Sequence, residues 1–516
     1  MSDQSANNKR IAKNTILLYV RLLFTVVVGL FTSRIVLKTL GIDDYGINNV
    51  VGGVVVMFSL FTNSLGAAIS RYFTYSLGKN EKKKLSIIFS TSVNIMFGIA
   101  VLIAILMEVV GVWFINTYLN IPPDRVVAAN WVFQFSIVSF CVNLISIPYN
   151  AAIIAHERMT VYAYVSIMEV MLRLVIVYML YISPFDKLIT YSFLSACVSV
   201  IVRFVYGMYC SRKFEESHYR FVWDKSLLKE MTGFAGWNFF GSASVLLNNQ
   251  GVNTITNIYF NVAVNAARGV AGQVDTTIKQ FATNFTIAIN PQITKSYASG
   301  NIDYMNSLIC RSSKFSYLLL LMLSLPFMFE AEFIMHIWLG EYPIDAPLFL
   351  RLSLIITMID LLGNSPAVAA WATGNVKRYY LYVGAVVNLM FPLAWVAFAL
   401  GMPAYISYVI GIIVYLLTLV VKLIVIKGLI GFSPQRFFFE VIKPICFTTF
   451  AALVIPGLIH FLTERTVVNS LIVLASCLIW TAASIYLIGI TKNERVKVNE
   501  TILSKWNQIK GFVNHS

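Results

Sequence analysis

What most limits the shapes open to this chain is a pattern that recurs from residue 12 almost to the end: long apolar stretches with few charges. A run of about 20 apolar residues makes a helix that spans the roughly 30 Å hydrocarbon core of a bilayer. Lipid cannot satisfy backbone polar groups, so repeated runs of this length predict a bundle of transmembrane helices. Composition agrees, with 58% hydrophobic and 12% charged residues, where a soluble domain carries about 25% charged. The first run follows a polar start (Met1 to Arg10). It is too long for a cleaved signal peptide and no small-residue cleavage site follows it, so it is read as a retained helix.

Fourteen spans are predicted: 12–37, 46–70, 86–115, 127–154, 161–182, 188–210, 232–258, 262–292, 313–337, 346–372, 379–400, 404–427, 438–462 and 467–490. The formal net charge of +15 could suggest nucleic acid, but the cations alternate with the spans. With the N-terminus inside, 28 Lys and Arg fall in inside segments, Lys422 and Lys427 among them, and 4 fall outside. This bias places both termini in the cytoplasm and assigns the basic excess to anionic lipid, not nucleic acid. The six cysteines show no paired spacing and the five histidines never stand at i, i+4. Neither a disulfide framework nor a metal site is expected.

The chain carries an internal repeat. Residues 148–165 lie over residues 366–383 at an offset of 218, so that Pro148 meets Pro366, Tyr162 meets Tyr380 and Tyr164 meets Tyr382. A weaker echo sets Tyr75-Ser-Leu-Gly78 against Tyr297-Ala-Ser-Gly300 at an offset of 222. Residues 1–210 (helices one to six) and 232–427 (helices seven to twelve) are therefore expected to be two parallel six-helix repeats. A cytoplasmic linker, 211–231, joins them; 428–490 are two accessory helices and 491–516 a cytoplasmic tail. Parallel repeats related by an axis along the membrane normal suit alternating access.

An ionisable residue inside a span is a candidate functional group by default. Several have bland readings: Glu169 and Arg173 pair at i, i+4, Arg203 and Arg351 reach the interface by snorkelling, and Glu330 and Glu332 belong to the outer mouth. Arg21 and Arg34 in the first span have no local acidic partner and point about 140° apart. In the eighth span Arg268, Asp275 and Lys279 share one face, with Gly272 on the same side. In the seventh, Asn249, Asn253 and Asn257 form another polar stripe. Two such stripes suit the wall of a solvated cavity, although interhelical glue makes the same pattern. The balance of Arg21, Arg34, Arg268 and Lys279 against Asp275 is cationic, and Arg matches phosphate oxygens well. Asp275 and Asp360 are candidates for Na⁺ or H⁺ coupling.

The chain resembles the polysaccharide (O-antigen type) flippases of the multidrug/oligosaccharidyl-lipid/polysaccharide exporter superfamily over essentially its whole length. The resemblance is carried by Ser33 to Val50, Ser64 to Phe73, the loop Ala155 to Met159, Asn290 to Asn301 and Ala372 to Tyr380. It implies a V-shaped two-lobed bundle in the bacterial inner membrane. That bundle would carry undecaprenyl-diphosphate-linked oligosaccharide to the periplasmic leaflet for polysaccharide biosynthesis, without a cofactor and in company with polymerase machinery. It also implies that helices one, two, seven and eight line the cavity, with Arg21, Arg34, Arg268 and Lys279, and Arg71 at the inner mouth, receiving the diphosphate.

Three other readings are open. A multidrug/cation antiporter shares the architecture but favours an acidic cavity. A flippase for the peptidoglycan precursor shares the cargo chemistry. A membrane glycan polymerase or glycosyltransferase would need a carboxylate site or a large outer loop, and the longest connections, about 71–85, 211–231 and 293–312, are on the inside. No phosphate-cradling Gly-rich loop is present, and the chain is not expected to be an enzyme.

Overall fold

The computed structural model describes residues 2–41, 44, 47, 48, 51, 52, 55, 58–118, 121–222, 224–260, 262–492, 494–496, 499 and 500. Helices account for almost all of it. In chain order they are α1 (Ser2–Leu40), α2 (Ser59–Gly78), α3 (Lys82–Thr117), α4 (Pro123–Ala155), α5 (Met159–Ile182), α6 (Lys187–Lys213) and α7 (Lys225–Tyr259). They continue with α8 (Val262–Ala298), α9 (Ile302–Leu339), α10 (Ala346–Ala372), α11 (Val376–Ala399), α12 (Ile406–Ile430), α13 (Pro434–Leu462) and α14 (Val467–Gly489). No strand occurs among the described residues. The protein is an all-α, multi-pass membrane protein.

Each predicted span overlaps one of these helices, and among the described residues ten are long and apolar enough to cross a membrane by that measure alone. The four that fall short are α1, α2, α7 and α8. Two of them are rich in polar residues. α7 holds Asn238, Asn248, Asn249 and Asn253, and α8 holds Arg268, Gln273, Asp275, Lys279 and Asn284. The expectation of fourteen spans is thus met in ten. α7 and α8 are the two helices in which the sequence shows polar stripes.

The chain packs as two compact units. The first comprises residues 1–245, 287–305 and 368–380, and the second residues 246–286, 306–367 and 381–516. A core cluster of the first joins Leu18 of α1 to Met159 of α5 and Ala288 of α8. The second is built on Ala267 and Ala271 of α8, Leu321 of α9, Phe349 and Leu354 of α10, Tyr408 of α12, and Val473 and Cys477 of α14. Packing of this kind is driven in lipid by close contact, and small residues allow it. At Gly251 an added Cβ would meet the Phe391 ring at 2.6 Å.

Two helices are interrupted where polar groups enter. α10 breaks at Gly363, where an added Cβ would sit 2.7 Å from the Lys422 stem. α11 breaks beside Asn388, whose Oδ1 accepts from Asn248 Nδ2 at 2.6 Å. In α9 the dihedrals leave the helical region at Glu330, four residues after Pro326, and Glu330 receives His460 Nδ1 at 2.8 Å. Such kinks are expected at an internal proline.

Candidate functional site

The first unit holds a cavity of about 510 Å³. Asn63 and Arg71 of α2, Asn150 of α4, Tyr162 of α5, Asn290 of α8 and Trp371 of α10 are among its walls. The Arg21 guanidinium lies over the Tyr162 ring, 4.8 Å from its centroid. Asn150 Oδ1 and Asn290 Oδ1 are buried and have no hydrogen-bond partner among the described residues. A buried polar group without a partner costs about 1–3 kcal/mol. This cavity is therefore suited to water or a hydroxyl-bearing ligand.

Beside the cavity two ties cross. Arg71, in the last two turns of α2, donates from Nε to the Trp371 carbonyl at 3.2 Å and from Nη2 to the Ala372 carbonyl at 3.1 Å. The chain then turns at Gly374, with φ +79°, where a Cβ would fall 2.6 Å from Arg71 Nη2. In the reciprocal tie the end of α8 grips the loop after α4. Lys295 Nζ lies 2.6 Å from Glu157 Oε1 and Gln292 Nε2 donates to Glu157 Oε2 at 2.7 Å. Asn14 Nδ2 of α1 adds a bond to the Glu157 carbonyl at 3.3 Å. The Glu157 side chain is fully buried, and its backbone is left-handed at φ 57°. A non-glycine residue held there costs about 1–2 kcal/mol.

These two ties correspond under the sequence repeat. The ends of α2 and α8 match at offset 222, and the loops after α4 and α10 match at offset 218. Tyr75 and Tyr297, equivalents at offset 222, meet with ring centroids 6.4 Å apart. Beside them Gly78 leaves no room for a Cβ, which would sit 2.8 Å from the Ala298 Cβ and 2.9 Å from the Lys295 carbonyl.

The second unit holds a separate polar cluster. Arg268 donates from Nε to Asn253 Oδ1 at 2.8 Å and from Nη1 to Ser407 Oγ at 3.1 Å, with its guanidinium over the Tyr408 ring. Among the described residues no carboxylate lies within ion-pair distance of it. Thr357 Oγ1 donates to Asp275 Oδ2 at 3.0 Å, while Asp275 Oδ1 is buried without a partner among the described residues. Lys279 Nζ is 2.9 Å from Asp360 Oδ2, and Lys422 Nζ is 3.5 Å from Asp360 Oδ1.

The structure thus divides the candidate residues into groups. Arg21 and Arg71 belong to the first unit, and Arg268, Lys279, Asp275 and Asp360 to the second. Asn253 anchors Arg268, whereas Asn249 is exposed. The side chains of Arg34 and Asn257 lie outside the described residues. One placement read from the sequence is corrected. Lys422, counted with the loop cations, is a buried residue of α12 that reaches Asp360, because an acid on α10 gives it a partner. Arg351, near the start of α10, bonds Glu332, with Nη2 2.6 Å from Oε2, and the Met328 carbonyl at 2.8 Å. The i, i+4 pair of Glu169 and Arg173 is present at 2.9 Å. Glu157, Gln292, Asn150 and Asn290 received no role from sequence reasoning, although Glu157, Asn290 and Gln292 sit in the motifs singled out there.

A family profile described as "Polysaccharide biosynthesis protein" matches residues 11–272. The chain belongs to that family. Over 505 residues it is 20% identical to the uncharacterized membrane protein EpsK of Bacillus subtilis (strain 168), covering 95% of this chain and 97% of that one. Its fold is that of solved MATE structures. An outward-facing multidrug resistance MATE family transporter of the MOP superfamily superimposes with a TM-score of 0.70 at 12% identity, over 82% of this chain and 96% of that one. A MOP superfamily transporter from Pyrococcus furiosus, whose pocket is described as reversed in polarity, gives 0.65 at 11% identity with the same coverage. This member of the polysaccharide biosynthesis family thus shares its fold with those transporters.

Proposed function

We propose that this polysaccharide-family transporter is a flippase. Its cargo is undecaprenyl-diphosphate-linked oligosaccharide, moved from the cytoplasmic to the periplasmic leaflet of the bacterial inner membrane by alternating access. The observation that carries the reading is Arg71 beside the first-unit cavity. Its guanidinium donates to two backbone carbonyls and makes no ion pair with a described carboxylate, next to buried amide oxygens that can accept from sugar hydroxyls. A cation in that setting retains its charge for an anionic group, and a planar fork of donors matches phosphate oxygens. Arg268 keeps its charge in the same way, bonded to neutral partners. Lys279 is the weaker candidate of the set, since Asp360 already takes its charge.

On this reading both termini are cytoplasmic, residues 1–210 and 232–427 are the moving lobes joined by 211–231, and residues 428–490 are accessory. The crossed ties at Arg71 and Glu157 then close the cytoplasmic side and must open to admit cargo. Asp275, with one unpartnered carboxylate oxygen, fits a coupling proton or Na⁺ better than Asp360, both of whose oxygens are engaged. Delivery of the glycan to polymerase machinery would follow on the outer face.

The test is glycan export in cells carrying Arg21→Ala or Arg268→Ala. Both variants should insert at normal levels and lose export. Normal export by both would refute the cationic-site reading.

A further inference from the structure

We propose that the groove at Arg203 is a docking site for the phosphate headgroup of an anionic lipid, separate from the transport path. The groove has a volume of about 430 Å³ and lies in the first unit, between α4, α6 and the segment that follows α6. Arg203 stands ten residues before the end of α6 at Lys213, so it lies roughly 15 Å along the helix from that end. A cation at that depth is costly unless it meets water or an anion.

Three features distinguish Arg203 from a snorkelling side chain. Its guanidinium is stacked on the Tyr149 ring at 3.8 Å from the centroid, and its Nη1 occupies the space that a Cβ on Gly207 would take, 2.7 Å away. It makes no hydrogen bond or ion pair with another described residue, and the acid closest in sequence to the groove, Glu216, is taken by His156 Nε2 at 2.5 Å. The guanidinium is held in place with its donors open. Ser217 Oγ, beside it, is buried and also without a hydrogen-bond partner among the described residues.

The wall facing Arg203 is formed by Ser217, His218 and Tyr219, in the segment that follows α6. It is fastened to α3 by Tyr219 Oη donating to Asn94 Oδ1 at 2.8 Å, by the Arg220 N–H donating to Ser90 Oγ at 3.1 Å and by Asn94 Nδ2 donating to the Val222 carbonyl at 3.0 Å. A fixed guanidinium, an open hydroxyl and a polar wall in a groove of headgroup size have the chemistry of a phosphodiester site. The anionic leaflet surface supplies that group as lipid.

The experiment is native mass spectrometry of the purified full chain. It is titrated with phosphatidylglycerol or with phosphatidylcholine of the same acyl chains, with and without millimolar inorganic phosphate. Wild type should bind one phosphatidylglycerol about tenfold more tightly than Arg203→Gln does, and phosphatidylcholine should not distinguish them. Arg212→Gln, which removes an exposed cation at the same helix end, should leave that step unchanged. Gly207→Ala, which displaces the guanidinium and keeps its charge, should weaken it and guards against misfolding of Arg203→Gln. Equal phosphatidylglycerol binding by wild type, Arg203→Gln and Gly207→Ala would overturn the proposal. So would displacement by inorganic phosphate with no preference for the anionic lipid, which would assign the groove to free phosphate.

Discussion

The two crossed ties occupy corresponding places in the sequence repeat and are made of different chemistry. At one, Arg71 of α2 donates to two backbone carbonyls after α10 and makes no ion pair with a described carboxylate. At the other, Gln292 and Lys295 of α8 close on the fully buried carboxylate of Glu157, and the charges cancel. A buried pair that loses one member leaves the other charge stranded, at a cost of about 3–5 kcal/mol. A guanidinium on carbonyls that loses its side chain forfeits only its two hydrogen bonds, about 1–1.5 kcal/mol net each. The difference teaches that one tie is built for holding and the other for holding while still offering charge to a ligand.

The largest expected effect is therefore at Glu157. Glu157→Ala should lower stability by about 3–5 kcal/mol, read as a drop in thermal midpoint of the purified chain in detergent. A midpoint within experimental scatter of wild type would mean that Lys295 does not depend on this carboxylate. Glu157→Gly sharpens the test, since it removes the same carboxylate and relieves the left-handed backbone. It should sit about 1 kcal/mol above the alanine variant.

Arg71→Ala comes next, with a loss of about 2–3 kcal/mol in the same melting assay. Arg71→Lys should recover part of the stability but little of the transport, because an ammonium cannot reproduce the fork of donors. Full transport by Arg71→Lys would break the distinction between the ties. Gly374→Ala should cost about 1–2 kcal/mol, through its positive φ and its clash with Arg71 Nη2. In an Arg71→Ala background the steric part should vanish, and a double-mutant cycle reads that coupling.

The smallest effect belongs to the ring contact between Tyr75 and Tyr297. Tyr75→Leu and Tyr297→Leu should each cost about 0.5–1.5 kcal/mol, and the double variant little more than either alone. Strictly additive losses would show that the two rings do not support one another.

Much of this frame was legible in the sequence and some of it was not, for physical reasons. Apolar runs of membrane length locate helices because lipid leaves the backbone no alternative. That is why each predicted span finds a helix. Periodicity placed Arg268, Asp275 and Lys279 along one face of α8, but a face does not name a partner. Asp360 is 81 residues from Lys279, and Lys422 reads locally as a helix-end cation. Glu157 was hidden for the same reason. In the loop Ala155 to Met159 it looks solvated, and the lysine that covers it is 138 residues away. The one usable signal was the repeat, since the motifs that match at offsets 218 and 222 are the segments that meet in the ties.

The most direct test of the central claim is transbilayer movement in liposomes reconstituted with the full chain and undecaprenyl-diphosphate-oligosaccharide, followed by accessibility of the headgroup from the opposite side. A flippase with this cationic site gives protein-dependent translocation that is lost in Arg71→Ala and Arg268→Ala. Absence of translocation across a panel of lipid-linked sugars, together with transport of a small cationic dye by the same liposomes, would contradict it and identify a drug/cation antiporter.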